Sequence, residues 1–207
     1  MKPTQSLPNS YRSIGTFDVR NNSQTMIRLN ILGFVLFAVS AWFFAVVLNV
    51  LRPEEAKNGL AVSFSDLGGM VQSVLAVILA TGAMIVLHEA VHGIFFWLFT
   101  RSIPKFAFKG LYAYAAAPQW YLPKSYYLVV ALAPLVVLSL AGMALMLVVP
   151  SSWFIILLLF LVINASGAIG DLWVTAWLVR QPNTCYANDL GDAVTLYVID
   201  KRFIQAE

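Results

Sequence analysis

The chain has 207 residues, of which 60% are hydrophobic and only 11% are charged. In soluble domains about a quarter of all residues are charged. This composition therefore excludes an ordinary soluble protein and predicts an integral membrane protein. The net charge of +3 is modest, and basic residues are not interleaved with aromatic ones along a polar face, so nucleic-acid binding is not indicated. The single cysteine, Cys185, excludes an intrachain disulfide and a cysteine-rich metal cluster.

Four apolar stretches are long enough to cross a bilayer, which requires about 20 apolar residues. They cover residues 27–51, 67–99, 126–149 and 153–179. We therefore predict an all-α integral membrane protein with four transmembrane helices in one domain, residues 26–182, and a kink at Pro134. Residues 1–25 are predicted to be a polar N-terminal tail and residues 183–207 a cytoplasmic C-terminal tail, with a short amphipathic helix over 189–204.

The segment between the second and third spans has the alternation of short strands. Residues 106–108 and 111–115 flank Lys109-Gly110, which predicts a small membrane-associated β-hairpin over 106–115. The alternative is an interfacial loop whose tyrosines and Trp120 lie among the lipid headgroups. The sequence leaves both interpretations open.

Basic residues mark the predicted cytoplasmic side of the membrane. They lie before the first span, between the second and third spans, and after the fourth span. The other two loops hold only Arg52 and Lys57. Because loops rich in lysine and arginine stay in the cytoplasm, we expect four crossings and two cytoplasmic termini.

Both histidines of the chain lie in the second span, in the pattern His88-Glu89-Ala90-Val91-His92. Residues four apart share a helix face, so His88 and His92 can bind one Zn²⁺ ion. Glu89 is rotated by about a third of a turn and can act on a metal-bound water as the general base. The alternative is a pair of hydrogen-bonded core histidines at a chance spacing. It is disfavoured because ionisable groups at membrane depth are costly and usually functional.

A catalytic zinc ion usually has three protein ligands, so one ligand is missing from this motif. Of the ten acidic residues, only Glu89 and Asp171 lie within apolar spans, and Asp171 is therefore the third candidate by elimination. His92 and Asp171 each lie nine residues before the arginine that ends their span, which places them at about the same depth at about 1.5 Å per residue. Cys185 is a rival ligand, but it lies beyond the fourth span.

Asn164 lies seven residues before Asp171, about two turns away on the same helix face. Small residues between the two would allow close packing against another helix. Asn164 is expected either to contact the substrate backbone or the oxyanion of a reaction, or to form an interhelical hydrogen bond.

These residues resemble the intramembrane zinc metalloproteases of the site-2 protease class, which carry H-E-x-x-H on one transmembrane helix and Asn and Asp on a later one. A more specific resemblance, over about residues 70–180, is to a bacterial family described as putative zincin peptidases. The motifs that carry it are His88–Gly93, a basic aromatic hairpin at 105–118, Ala133–Leu135, and Asn164, Gly167 and Asp171. The chain departs from the site-2 pattern in having Gly170-Asp171-Leu172 and no proline between Asn164 and Asp171.

The resemblance implies an intramembrane zinc endopeptidase of a bacterial plasma membrane, with a membrane-embedded or membrane-adjacent peptide as substrate. His88, His92 and Asp171 would then bind Zn²⁺, and Glu89 would be the catalytic base. The alternative is a non-proteolytic metal-binding membrane protein, either a degenerate protease or an adaptor. A haem or ion-transport protein is disfavoured, because histidines four apart on one helix cannot bind both faces of a haem and the first and third spans have almost no polar residues.

Overall fold

The computed structural model describes residues 1–18, 23–59, 67–110 and 113–200, and it is mostly helical. The helices are α1 (Ser23–Leu51), α2 (Pro53–Gly59), α3 (Leu67–Thr100), α4 (Lys124–Met146), α5 (Phe154–Gly167) and α6 (Ile169–Val179). The strands are β1 (Tyr11–Asp18), β2 (Lys105–Phe108), β3 (Ala113–Ala116), β4 (Tyr121–Pro123), β5 (Tyr186–Asp189) and β6 (Ala193–Ile199).

Four helical segments in the described part of the chain are long and apolar enough to cross a membrane, as predicted. They are Ser23–Leu51, Leu67–Thr100, Lys124–Met146 and Ser151–Val179. The third contains Pro134. The fourth is not one continuous helix, because it begins with a 3₁₀ turn, Ser151–Trp153, and is interrupted between α5 and α6 at Ala168.

The prediction of an all-α fold is incomplete, because the polar segments outside the spans contain strands. An antiparallel sheet has the order β1-β6-β5-β4, and three of its strands come from the segments predicted to be tails. The helix expected over residues 189–204 is wrong for its described part, since Ala193–Ile199 forms β6. Residues 201–204 lie outside the described residues. The run Val194-Thr195-Leu196-Tyr197-Val198 is rich in β-branched and aromatic residues, which favour a strand.

Strands β2 and β3 form a separate two-stranded antiparallel sheet between α3 and α4. Its register runs from Lys105 opposite Ala116 to Phe108 opposite Ala113. Residues 111 and 112 lie outside the described residues, and the association of this sheet with a membrane surface stays a prediction.

Internal contacts divide the chain into two units, each with its own apolar core. The first unit comprises Met1–Leu29, Glu89–Ala133 and Gly170–Glu207, and the second comprises Asn30–His88 and Pro134–Ile169. The largest fully buried side chains of the first core are Phe96, Leu122, Leu178 and Leu196. Those of the second are Leu48, Met146, Phe154 and Leu161.

In the second unit, the end of α4 is capped by a side chain from the α1–α2 junction. The guanidinium of Arg52 donates hydrogen bonds to the carbonyl oxygens of Met146, at 3.4 Å, and Val149, at 2.5 Å. It also lies over the ring of Phe154, 4.9 Å from its centroid. The last carbonyls of a helix have no partner within the helix, so Arg52 supplies one.

In the first unit, a buried polar pair joins α4 to β5. The hydroxyl of Tyr127 donates to Asp189 Oδ2 at 2.6 Å, and the backbone N–H of Gly191 donates to Oδ1 at 2.8 Å. Asp189 is only 9% exposed. Burial raises the pKa of Asp189 from its ordinary 3.8 to about 6, although both hydrogen bonds act in the opposite direction.

Replacing Asp189 with Asn is expected to reduce the pH dependence of stability. The pKa of Asp189 in the folded protein lies above its ordinary value, so between pH 4 and 6 the folded state binds more protons than the unfolded state. The free energy of unfolding therefore falls as the pH rises through this window, by up to about 3 kcal/mol at about 1.4 kcal/mol per pKa unit. Thermal unfolding in detergent from pH 4 to 7 measures this difference.

Asp192→Asn is the matched control, because it removes an acidic residue from the same turn and leaves Asp189 in place. It should keep the pH dependence of the wild type. Equal slopes for the wild type and Asp189→Asn would contradict the prediction.

Candidate metal centre

Helix α3 places both histidines on one face. It is continuous from Leu67 to Thr100, so His88 and His92 lie one turn apart on the same side. Both are buried, with 7% and 8% of their surface exposed. A buried imidazole needs partners for both ring nitrogens, so the surroundings of each ring show what it can bind.

The ring of His92 lies between a backbone carbonyl and a carboxylate. Its Nδ1 is 2.9 Å from the carbonyl oxygen of Val130, which can only accept, so Nδ1 carries the proton. Its Nε2 is 3.5 Å from Asp171 Oδ2. Two ligand atoms about 2.0–2.1 Å from one tetrahedral zinc ion are about 3.3 Å apart. The spacing of His92 and Asp171 therefore fits two ligands of one metal ion.

The ring of His88 is oriented by Asn164 of α5. Its Nδ1 is 3.0 Å from Asn164 Oδ1, and the Asn164 Nδ2 donates to the carbonyl oxygen of Pro134 at 3.4 Å. Because the carbonyl can only accept, the amide nitrogen of Asn164 must face it, and the amide oxygen must face His88. His88 therefore carries its proton on Nδ1 and can bind a metal through Nε2.

Among the described residues, His88, His92 and Asp171 form one group of metal-ligand side chains. One ligand atom from each lies within 4.8 Å of the others. Two imidazoles and one carboxylate form the donor set of many catalytic zinc sites. In addition, each imidazole binds an oxygen through its second nitrogen, as metal-bound histidines generally do. The residues present therefore fit Zn²⁺.

The interruption of the fourth span places Asp171 at the start of a helix. Ala168 lies between α5 and α6, and its N–H still bonds to the carbonyl of Asn164 at 3.2 Å. Asp171 thus lies in the first turn of α6, the end at which the helix dipole favours a carboxylate. The sequence had predicted the residue but not the helix start that supports it.

Glu89 faces β3 and is not one of the grouped ligands. Its Oε2 accepts the backbone N–H of Ala115 at 2.7 Å. In an antiparallel pair, successive residues alternate between pointing at the partner strand and away from it. Because the N–H of Ala115 points to Glu89, the backbone groups of Ala113 and Ala115 face away from β2.

The glycine after the motif allows β2 to pack on α3. A Cβ atom on Gly93 would overlap the ring of Phe106 and lie 3.3 Å from Pro104, so a larger residue would have to displace that ring. On the opposite side of the sheet, the ring of Tyr114 packs against Gly191 in the turn after β5. These two contacts hold β3 at the distance from which Ala115 reaches Glu89.

Cys185, the rival ligand, lies elsewhere. It is buried in the apolar core of the first unit, and its thiol contacts the carbonyl oxygen of Tyr186 at 3.5 Å. Burial raises the pKa of Cys185 to about 11, which disfavours the thiolate that zinc requires.

The partners that the sequence did not reveal are mainly backbone groups. The carbonyl of Val130 and the N–H of Ala115 have no side-chain signature. For Val130 the sequence does carry a signal: Pro134, four residues later in the same helix, has no N–H to donate to the Val130 carbonyl. Two roles are expected for Asn164. Its contacts in the structure are hydrogen bonds to other helices, which is the second of these roles.

Comparison with known proteins gives a family for this chain. The model of the family described as "Putative zincin peptidase" matches residues 81–186, just over half of the chain. No curated protein and no solved structure matches it significantly. The matched segment includes the motif of α3, Asn164 and Asp171. The chain therefore belongs to the Putative zincin peptidase family.

Proposed function

We propose that the protein is an intramembrane zinc endopeptidase. The observation that carries the proposal is the group formed by His88, His92 and Asp171, beside a glutamate held by a strand backbone. Both imidazoles have their Nδ1 protons bound to oxygen acceptors. This arrangement presents nitrogen lone pairs and a carboxylate to one position, as a catalytic zinc site requires.

The roles of the residues follow from their positions. Zinc held by His88, His92 and Asp171 would lower the pKa of a water molecule to about 7 and polarise the scissile carbonyl. Glu89 takes the proton of the attacking water on its carboxylate and then donates it to the nitrogen of the leaving amine. The hydrogen bond from Ala115 orients the Glu89 carboxylate for the first of these steps.

The main alternative is a membrane protein that binds a metal without cleaving peptides. Such a protein would need the ligands but not Glu89. A carboxylate in an apolar span is costly unless it is hydrogen-bonded, and here β3 supplies its donor. This support for a carboxylate that does not bind the metal favours the peptidase.

We infer that the site lies within the bilayer, near its cytoplasmic side. His92 precedes Arg101 by nine residues, or about 13 Å of helix at 1.5 Å per residue. The guanidinium of Arg101 lies over the ring of Trp97, 5.4 Å from its centroid, a pair typical of a membrane interface. With basic loops on the same side as both termini, we infer that the termini are cytoplasmic. The resemblance to a bacterial family supports a bacterial plasma membrane as the location.

The proposed substrate is a membrane-embedded or membrane-adjacent peptide in an extended conformation. A helical substrate satisfies its own backbone, so it must unwind before an amide reaches the site. Among the described residues, no strand pairs with the second edge of β3. The backbone groups of Ala113 and the carbonyl of Ala115 face outward there, and the N–H of Ala115 is bound to Glu89. An extended segment could add to this edge by β-augmentation, close to Glu89.

Glu89→Gln should abolish cleavage and leave zinc binding intact. The amide cannot accept the proton of the attacking water, but it is not among the ligands. The test measures zinc content by elemental analysis of the purified protein, together with cleavage of a reconstituted mixture of transmembrane peptides analysed by mass spectrometry. Loss of at least about 100-fold in rate is expected from removing a general base. A wild-type protein without stoichiometric zinc would refute the site.

Asp171→Ala should weaken zinc binding, because one of three protein ligands is lost. Cys185→Ala is the matched control: it removes the only thiol, which lies in the apolar core of the first unit, and should leave zinc affinity unchanged. Competition with a chromogenic chelator measures both affinities. The assignment of the third ligand is wrong if Asp171→Ala binds zinc as tightly as the wild type does. It is also wrong if Cys185→Ala binds zinc more weakly than the wild type.

Ala113→Pro should lower peptide cleavage without changing zinc content, because it removes an outward N–H from the edge of β3. Ala113→Val is the control, since it keeps the N–H and favours a strand. Rates measured over a range of peptide concentrations should show mainly a raised KM for the proline variant. Equal kinetics for all three proteins would exclude β-augmentation at this edge.

A further inference from the structure

We propose that Pro134 is a positioning residue for the metal centre, because its missing N–H leaves the carbonyl of Val130 for His92. The proposal rests on the proposed zinc site. Pro134 lies on α4 and binds no metal, but it would fix the orientation of His92, a candidate ligand on α3.

The first step is the hydrogen-bond pattern of α4. In an α-helix the N–H of each residue binds the carbonyl four residues earlier, so position 134 would bind Val130. Proline has no N–H, and α4 is helical from Lys124 to Met146 across this position. Val130 is buried, with 2% of its surface exposed. A buried carbonyl left without a donor costs about 1–3 kcal/mol.

The second step is the donor that this carbonyl receives. His92 Nδ1 lies 2.9 Å from the Val130 oxygen, the distance of an ordinary hydrogen bond. The contact satisfies the carbonyl and keeps the proton of His92 on Nδ1. It thereby turns Nε2 towards Asp171, 3.5 Å from its Oδ2. If residue 134 had an N–H, that group would already donate to the carbonyl of Val130 along the helix.

A separate contact involves the carbonyl of Pro134 itself. That oxygen accepts the Nδ2–H of Asn164, whose Oδ1 accepts the Nδ1–H of His88. Any residue at position 134 has a carbonyl, so this second contact does not require proline. Only the bond between His92 and Val130 depends on the missing N–H, and the two contacts can therefore be tested independently.

A proline that only bends α4 would give a different result from one that positions His92. Proline in a helix interior is about 3 kcal/mol less favourable than alanine. In both cases Pro134→Ala should therefore keep or raise the melting temperature of the metal-free protein. Only the positioning role predicts that the same variant loses zinc affinity, because the new N–H competes with His92 for Val130.

The first measurement is zinc affinity by chelator competition for the full-length protein in detergent. Pro134→Ala is expected to bind zinc about 10–100-fold more weakly, the usual effect of losing the hydrogen bond behind a metal-bound histidine. Pro150→Ala is the matched control, since it removes a proline that precedes a 3₁₀ turn. It should bind zinc as the wild type does.

The second measurement follows the histidine rings directly. The chain has only two histidines, so ¹⁵N-histidine labelling gives two assignable rings in NMR spectra of the metal-free protein. In the wild type, His92 should show a slowly exchanging, low-field proton on Nδ1. Pro134→Ala should lose this signal and keep that of His88. Asn164→Ala should do the reverse.

Unchanged zinc affinity together with an unchanged His92 signal in Pro134→Ala would overturn the proposal. If that variant does not fold, Pro134→Gly restores the same N–H and carries the same expectation. Absence of the His92 Nδ1 proton in the wild type overturns the proposal without any variant. Suppose that the wild type shows both ring signals, and that Pro134→Ala loses zinc affinity and the His92 signal, but that the wild type cleaves no peptide. Then the proposed peptidase activity is wrong and the positioning role stands.

Discussion

The candidate metal centre depends on one requirement of its buried imidazoles: a metal-bound histidine generally needs an acceptor for its other ring N–H. Both histidines of α3 meet this requirement with Nδ1. His92 uses the carbonyl of Val130 and His88 uses the amide of Asn164. Without these acceptors, either ring could turn or move its proton to Nε2, and the lone pair would no longer point to the ligand position. The acceptors therefore matter as much as the spacing of the two histidines.

Irregular backbone in the spans occurs next to the groups that orient or form the candidate metal centre. Pro134 interrupts the hydrogen bonds of α4 at Val130, and Ala168 separates α5 from α6 so that Asp171 lies in the first turn of a helix. In an apolar environment each freed backbone group is expensive unless it finds a partner. Here the carbonyl of Val130 receives His92, and the first turn of α6 holds a carboxylate. Local departures from regular structure are expected at functional sites, and both of these lie beside the candidate ligands.

Hydropathy and spacing predicted much of this structure, and the exceptions have physical reasons. Four long helices follow from length and apolarity, and the shared helix face of His88 and His92 follows from helical periodicity. The sheet did not follow, because β1 pairs with β6, far along the chain, and short polar strands carry little local signal. Backbone partners such as the N–H of Ala115 have no residue type to reveal them. A proline inside an apolar span is different, since it marks a freed carbonyl four residues earlier.

The support given to Glu89 favours the proposed catalysis over metal storage. A residue beside a purely structural metal ion would be more stable if it were apolar, since an ionised carboxylate loses its hydration in this environment. Instead, Gly93 admits Phe106, Gly191 admits Tyr114, and the strand held by these contacts donates an N–H to the carboxylate. Two glycines and a strand thus keep a carboxylate oxygen beside the candidate ligands, where the proposed proton transfer would use it.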